Sequence, residues 1–188
     1  MPILAREPDI HPVGLLQDPC LAWPSRQSTW WVLYTLSRRE KELMRQLCRR
    51  DIAFYCPLIR RLTRSASGRN QVAHVPLFSS YVFLYGNELD RHRAMASNCV
   101  SRWLAVPDPT GLTQDLQQIQ RLLETGVPVT PEARLAPGTH VRIRSGPLTD
   151  MEGVVIKRLH QWRLVVSVNF LQQGASLLLE DWQIERLD

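Results

Sequence analysis

Apolar positions along this chain change their spacing several times, and each change marks an element. Residues 30–36 (WWVLYTL) are apolar without alternation, which predicts a central strand covered on both faces. From Ser37 the period becomes helical. Leu43, Met44, Leu47 and Cys48 fall within one arc at about 100° per residue, so a helix is expected over 38–50. Ser37 followed three positions later by Glu40 has the spacing of a capping box. Residues 52–59 read as a further strand, with Pro57 marking an edge or a bend. Residues 60–75 predict a hairpin with a polar, basic tip at 65–70. It leads into PLFSSYVFLY (76–85), expected to be one long buried strand. Asn87 is placed to cap a short helix over 88–97, and 99–106 reads as a strand. Thr113 opens a helix with Leu116, Ile119, Leu122 and Leu123 at helical spacing, and Gly126 ends it.

This order describes an α+β domain over 29–126, of the split βαβ kind, with an antiparallel sheet and helices. Residues 1–28 hold five prolines without a helical or strand period and are expected to form a flexible extension, although Leu15, Leu16, Leu21 and Trp23 are apolar enough to dock. Residues 127–138 are rich in proline and read as a linker. Beyond Thr139 the pattern is one of short strands between glycine-containing or polar turns, Val141 and Ile143 alternating with Arg142 and Arg144. A small all-β barrel over 139–188 is expected. Gly138, Gly146-Pro147 and Gly153 stand where tight turns are anticipated.

Charge changes this picture more than composition does. The formal net charge is +5, but residues 38–74 alone carry ten Lys or Arg against three acids. Positive charge gathered in one region suggests a polyanionic partner, and arginine, which dominates the basic residues, has a planar fork suited to phosphate. On the expected helix Arg38, Arg45 and Arg49 form one row, and Arg39, Gln46 and Arg50 a neighbouring one. A solvated face would explain any single arginine here; two parallel rows make phosphate contact an equal reading. Four cysteines stand far apart, without a C-x-x-C pair, so neither a zinc site nor a disulfide framework is expected. No metal, cofactor or membrane span is expected either. The acidic, proline-containing N-terminus is unlike a secretory signal, which places the expected chain in the cytoplasm.

Four stretches taken together resemble the NusG family of transcription elongation factors: WWVLYTLSRREKEL (30–43), FYCPLIRR (54–61), PLFSSYVFLY (76–85) and APGTHVRIRSGPLTDMEGVVIK (136–157). The last resembles a KOW motif, carried on Gly138, Gly146, Pro147 and Gly153. The divergent extension, the WWVLY opening and the arginine-rich hairpin look closer to an RfaH-like specialised paralog than to the housekeeping factor. The resemblance implies a monomeric, non-enzymatic factor for elongation or antitermination. Its N-terminal domain would seat an aromatic-lined cavity on the clamp helices of the RNA polymerase β′ subunit, opposing pausing or termination. The resemblance makes Tyr34, Phe78, Tyr81 and Phe83 the polymerase-binding candidates. Arg38, Arg39, Gln46, Arg49 and Arg50 become candidates for contact with non-template DNA. The KOW barrel would recruit Rho or a ribosomal small-subunit protein, with Phe170 and Leu171 at the position of partner contact. Family members usually carry proline after the phenylalanine of the 76–85 strand; here Ser79-Ser80 replaces it.

Two other classes compete. A ribosome-associated or RNA-binding KOW protein would concentrate its charge in the barrel, yet acids and bases nearly balance from Thr139 onward. An enzyme would need a Ser/His/Asp or Cys/His set brought together by a motif, and none stands out. The C-terminal segment is dense in β-branched residues, so strands rather than a helical hairpin are expected there.

Overall fold

The computed structural model describes residues 7–18, 27–64, 70–134, 138–158, 161–179 and 184–187. Two compact units emerge, 1–109 and 110–188.

In the first unit, β1 (Ile10–His11), β2 (Thr29–Thr35), β3 (Phe54–Tyr55), β6 (Tyr81–Gly86) and β7 (Val100–Ala105) form one antiparallel sheet in the order β1-β3-β6-β2-β7. Helix α1 (Glu40–Arg49) joins β2 to β3, and α2 (Glu88–Met95) joins β6 to β7. β6 lies between β2 and β3, and β2 lies between β6 and β7. The two β-α-β segments are therefore split and interleaved, as the order of elements predicts. Leu43, Met44 and Leu47 of α1 pack with Leu33, Val82, Leu84 and Phe54 of the sheet. Asn87 caps α2 through a full capping box with Asp90.

Several expectations change in the structure. Ser37 does not cap α1. The helix starts at Glu40 with Arg39 at the N-cap and no side-chain cap bond. Glu40 is buried, and its Oε1 instead accepts the Ser80 N–H at 2.8 Å. A tertiary partner has outcompeted the local motif. The expected 76–85 strand is two pieces. Pro76 ends β5 (Asn70–Pro76), a turn follows, and β6 begins at Tyr81. Tyr81 N–H bonds the Phe78 carbonyl at 3.2 Å, and Ser80 has φ +67°. That is the geometry of a type II turn, which serine fills here. The expected 52–59 strand likewise breaks at Cys56-Pro57 into β3 and β4 (Leu58–Arg64). β4 and β5 pair as a separate hairpin. Its expected tip lies largely outside the described residues.

The extension is also partly built into the fold. β1 adds to the β3 edge, pairing Ile10 with Tyr55 and His11 with Phe54. Cys56 N–H donates to the Asp9 carbonyl at 2.7 Å, and Leu15 and Leu16 are fully buried. The open edge of a two-residue strand, together with two leucines, supplies what the proline-rich pattern concealed. Leu21 and Trp23 lie outside the described residues.

The second unit opens with α3 (Pro109–Glu124), which starts earlier than Thr113 because Pro109 suits the first helical turn. Leu112, Leu116, Ile119 and Leu122 are its buried stripe, and Gly126 follows with φ +71°. The helix groups with the C-terminal strands. Those strands form a six-stranded antiparallel sheet, ordered β13-β9-β10-β11-β12-β8. Its members are β8 (Thr130–Glu132), β9 (Thr139–Ile143), β10 (Glu152–Arg158), β11 (Gln161–Val168), β12 (Gln173–Leu178) and β13 (Ile184–Arg186). The all-β C-terminal region is thus present as strands. β8 lies inside the expected linker: it pairs with β12, and Glu132 is buried, accepting the Ser176 hydroxyl at 2.6 Å. A three-residue strand containing Pro131 has no readable period, and an edge position tolerates the proline.

Candidate functional site

One transverse row of side chains organises the first unit's candidate surface. Tyr34 on β2 stands opposite Tyr81 on β6 and opposite Arg102 on β7. Directly opposed residues share a face, so Arg102, Tyr34 and Tyr81 line up across three adjacent strands. The two tyrosine rings meet edge to face, 5.2 Å between centroids at 72°. The Arg102 guanidinium lies over the Tyr34 ring at 4.9 Å. Both tyrosines are half-buried and Arg102 is exposed.

One row further in, on the same face, Val32 stands opposite Phe83, and Phe83 opposite Tyr55. Phe83 is fully buried. Phe78, from the turn before β6, meets it edge to face at 6.1 Å and is only 2% exposed. Phe78 and Phe83 therefore do not open onto a cavity as expected. They form a floor beneath the tyrosine rim, since strand alternation places Phe83 inward of Tyr81 and the turn folds Phe78 over it.

The basic rows on α1 are partly dismantled. Arg45 is drawn into ion pairs with Glu42 at 2.6 Å and with Glu7 at 2.7 Å. The Arg45 guanidinium, with help from Gln46, holds the Glu42 carboxyl below its usual range. Gln46 turns its amide inward, donating to Glu42 at 3.2 Å and to the Ser97 carbonyl at 3.4 Å. Arg38, Arg39, Arg49 and Arg50 remain exposed, the first two just before the helix and the last two at its far end. The ten-residue helix separates these pairs by about 15 Å of axis. Arg38 has φ +59°, and the Arg50 Nη1 donates to the Arg93 carbonyl at 2.5 Å. The cations thus sit in two clusters rather than two continuous rows.

Sequence reasoning missed Arg102 and the cluster on the opposite face. Buried Arg91 of α2 lies between Trp103 (4.2 Å) and Trp31 (5.2 Å) and pairs with Glu88. Alternation in VSRWLA was the available signal: it sends Arg102 and Trp103 to opposite faces of β7.

In the second unit the glycines of the stretch that resembles a KOW motif serve different ends. Gly146 has φ +94° and makes a turn that leads into Pro147. Gly153 is within β10, not in a turn. A Cβ there would stand 2.6 Å from the Val165 carbonyl oxygen, and one at Gly138 would stand 2.5 Å from that of Val155. Phe170 and Leu171 are not on a strand. They occupy a 3-10 turn at Asn169–Leu171, closed by Gln172 at φ +53°, and both are half-buried. Asp115 of α3 accepts the Asn169 backbone N–H at 2.8 Å. Arg142 pairs with Glu152 at 2.5 Å, Arg144 pairs with Glu185, and Arg163 bonds Ser176 at 2.9 Å. A cleft of about 320 Å³ lies between α3 and residues 147–151, lined by Gln118, Arg121, Thr125 and Thr149. Among the described residues no helix is long and apolar enough to cross a membrane, and no three His, Cys, Asp or Glu gather as metal ligands.

Comparison with known proteins gives these positions a context. No curated protein sequence matches the chain. A solved structure, described as "Domain interaction in Thermotoga maritima NusG", is similar at 17% identity and a TM-score of 0.48. The match covers 86% of this chain and 98% of that one. At that distance it assigns no role to any residue here. The family model for NusG, described as transcription termination factor nusG, matches residues 28–128. That span runs from β2 through α3, more than half of the chain, and includes the whole Arg102–Tyr34–Tyr81 row. The chain belongs to the NusG family of transcription factors.

Proposed function

We propose that this chain is an elongation or antitermination factor of the cytoplasm, acting as a monomer. Its first unit docks on the clamp helices of the RNA polymerase β′ subunit through Tyr34 and Tyr81. The observation carrying this reading is the half-buried tyrosine pair on a sealed Phe78–Phe83 floor. Amphipathic rings held rigid over a packed core make efficient anchors, because little conformational freedom is lost on binding. Arg38, Arg39, Arg49 and Arg50 supply the contacts to non-template DNA, while the Gln46 amide is engaged within the unit. The KOW unit recruits the second partner, Rho or a ribosomal small-subunit protein, through the turn carrying Phe170 and Leu171.

The RNA-binding alternative draws less support. Arg142, Arg144 and Arg163 of the KOW unit are each engaged internally, which leaves less free charge for a phosphate backbone.

Titrating the full chain against isolated β′ clamp helices tests the docking. Tyr34→Ala and Tyr81→Ala should each weaken binding at least about tenfold, as hot-spot residues do, with the melting profile retained. A folded Tyr34→Ala/Tyr81→Ala variant that binds like the parent would remove the basis for this function.

A further inference from the structure

We infer that Arg102 reads charge at the tyrosine row and that the protein helix seated there offers it a carboxylate. This rests on the protein-docking role of Tyr34 and Tyr81 proposed above.

Arg102 stands at the outer end of the row, on the edge strand β7, with its guanidinium over the Tyr34 ring at 4.9 Å. Among the described residues it has no carboxylate partner. Arg45, Arg91, Arg93, Arg142 and Arg144 each have one. The ring contact restrains the guanidinium, and no carboxylate among the described residues occupies its N–H donors, which leaves them available for bidentate capture of a carboxylate. The surroundings reinforce the sign. Arg38 and Arg39 lie in the turn that follows β2 at the Tyr34 end, both exposed, and neither makes an ion pair among the described residues. Glu40, at the same end, is buried and its carboxylate is engaged by the Ser80 N–H. A surface covering this row therefore meets exposed guanidinium groups that form no ion pair among the described residues, and complementarity calls for acid on the partner.

The geometry favours a protein helix over a nucleic acid strand. A base needs an open ring face to stack on. Here the tyrosines meet edge to face, both are half-buried, and Arg102 already covers Tyr34. An aliphatic or aromatic knob between the tyrosines with a carboxylate beside it fits the row better.

The test uses the full chain, the isolated β′ clamp-helix coiled coil and single-stranded DNA, each titrated at low and high salt. Arg102→Gln should weaken coiled-coil binding about tenfold at low salt and flatten its salt dependence. Arg102→Lys should keep the salt dependence and recover part of the affinity. Thermal melts should be unchanged, which separates recognition from a merely structural stacking role. If Arg102→Gln binds the coiled coil like the parent at both salts while Tyr34→Ala and Tyr81→Ala still weaken it, docking survives and this inference fails. If none of the three matters, both fail together. If Arg102→Gln weakens only DNA binding, Arg102 belongs to the nucleic-acid surface and the inference is overturned.

Discussion

At the scale of single residues, the same ring chemistry yields opposite consequences two positions apart. Phe83 is fully enclosed, so Phe83→Ala removes packed surface and leaves a cavity; a loss of about 3–5 kcal/mol is expected in urea unfolding. Tyr81, one row outward, is half exposed, and its alanine variant should cost clearly less stability in the same measurement. Equal losses would mean that both rings are core. Strand alternation made this distinction partly legible: Tyr34 and Tyr81 are on the same face as Phe83, and only depth along the sheet separates rim from floor. Depth depends on the Phe78 turn, which no period in the sequence announces. Ser79 offers a cleaner test of that turn. It occupies the first central position of a type II turn, where the family usually has proline, and Ser80 supplies the positive φ. Ser79→Pro should stabilise the chain by about 0.4–1 kcal/mol by restricting the unfolded ensemble. A melting temperature that falls would show that the turn is of another type.

At the scale of elements, the strong periods were readable and the short or tertiary-held pieces were not. The stripe Leu43, Met44, Leu47 and the Asn87 cap were each written locally and appear as expected. The capping box at Ser37–Glu40 was equally well written, yet Glu40 is held by Ser80, forty positions away. β1 and β8 are two and three residues long, below any period, and each exists because a neighbouring strand left an edge to pair. Leu15 and Leu16 test the docked extension: alanine at either should cost about 2–5 kcal/mol in chemical denaturation. A change within about 0.5 kcal/mol, as expected of a surface site, would return residues 7–18 to the status of a loose tail. The surface of α1 has its own signature in acid. Because Arg45 holds Glu42 below the usual range, the folded chain favours the carboxylate more than the unfolded chain does. This contribution is present above the unfolded value, about 4.3, and is lost as pH falls through the lower folded value. Glu42→Gln should therefore flatten the decline in melting temperature between about pH 5 and about pH 3. An unchanged slope would count against the ion pair's role.

At the scale of the whole molecule, the boundary between units is where sequence and structure differ most instructively. Proline content suggested a linker over 127–138, but β8 and the buried Glu132 make part of that segment a component of the C-terminal sheet. Glu132 accepts the Ser176 hydroxyl, and Ser176 in turn accepts Arg163 Nε–H at 2.9 Å. Each unit therefore has interior groups of its own: apolar packing around Phe83 in one, and this polar relay beneath β8 and β12 in the other. Compact units with separate interiors unfold as separate cooperative events. Calorimetry of the intact chain should accordingly resolve two transitions. Phe83→Ala should lower one and leave the other in place. Glu132→Ala takes away the acceptor of the buried Ser176 hydroxyl proton while Arg163 still donates to its oxygen, so it should lower the second alone, by an amount equivalent to about 1–3 kcal/mol. A single transition that moves with either substitution would mean that the two interiors melt as one.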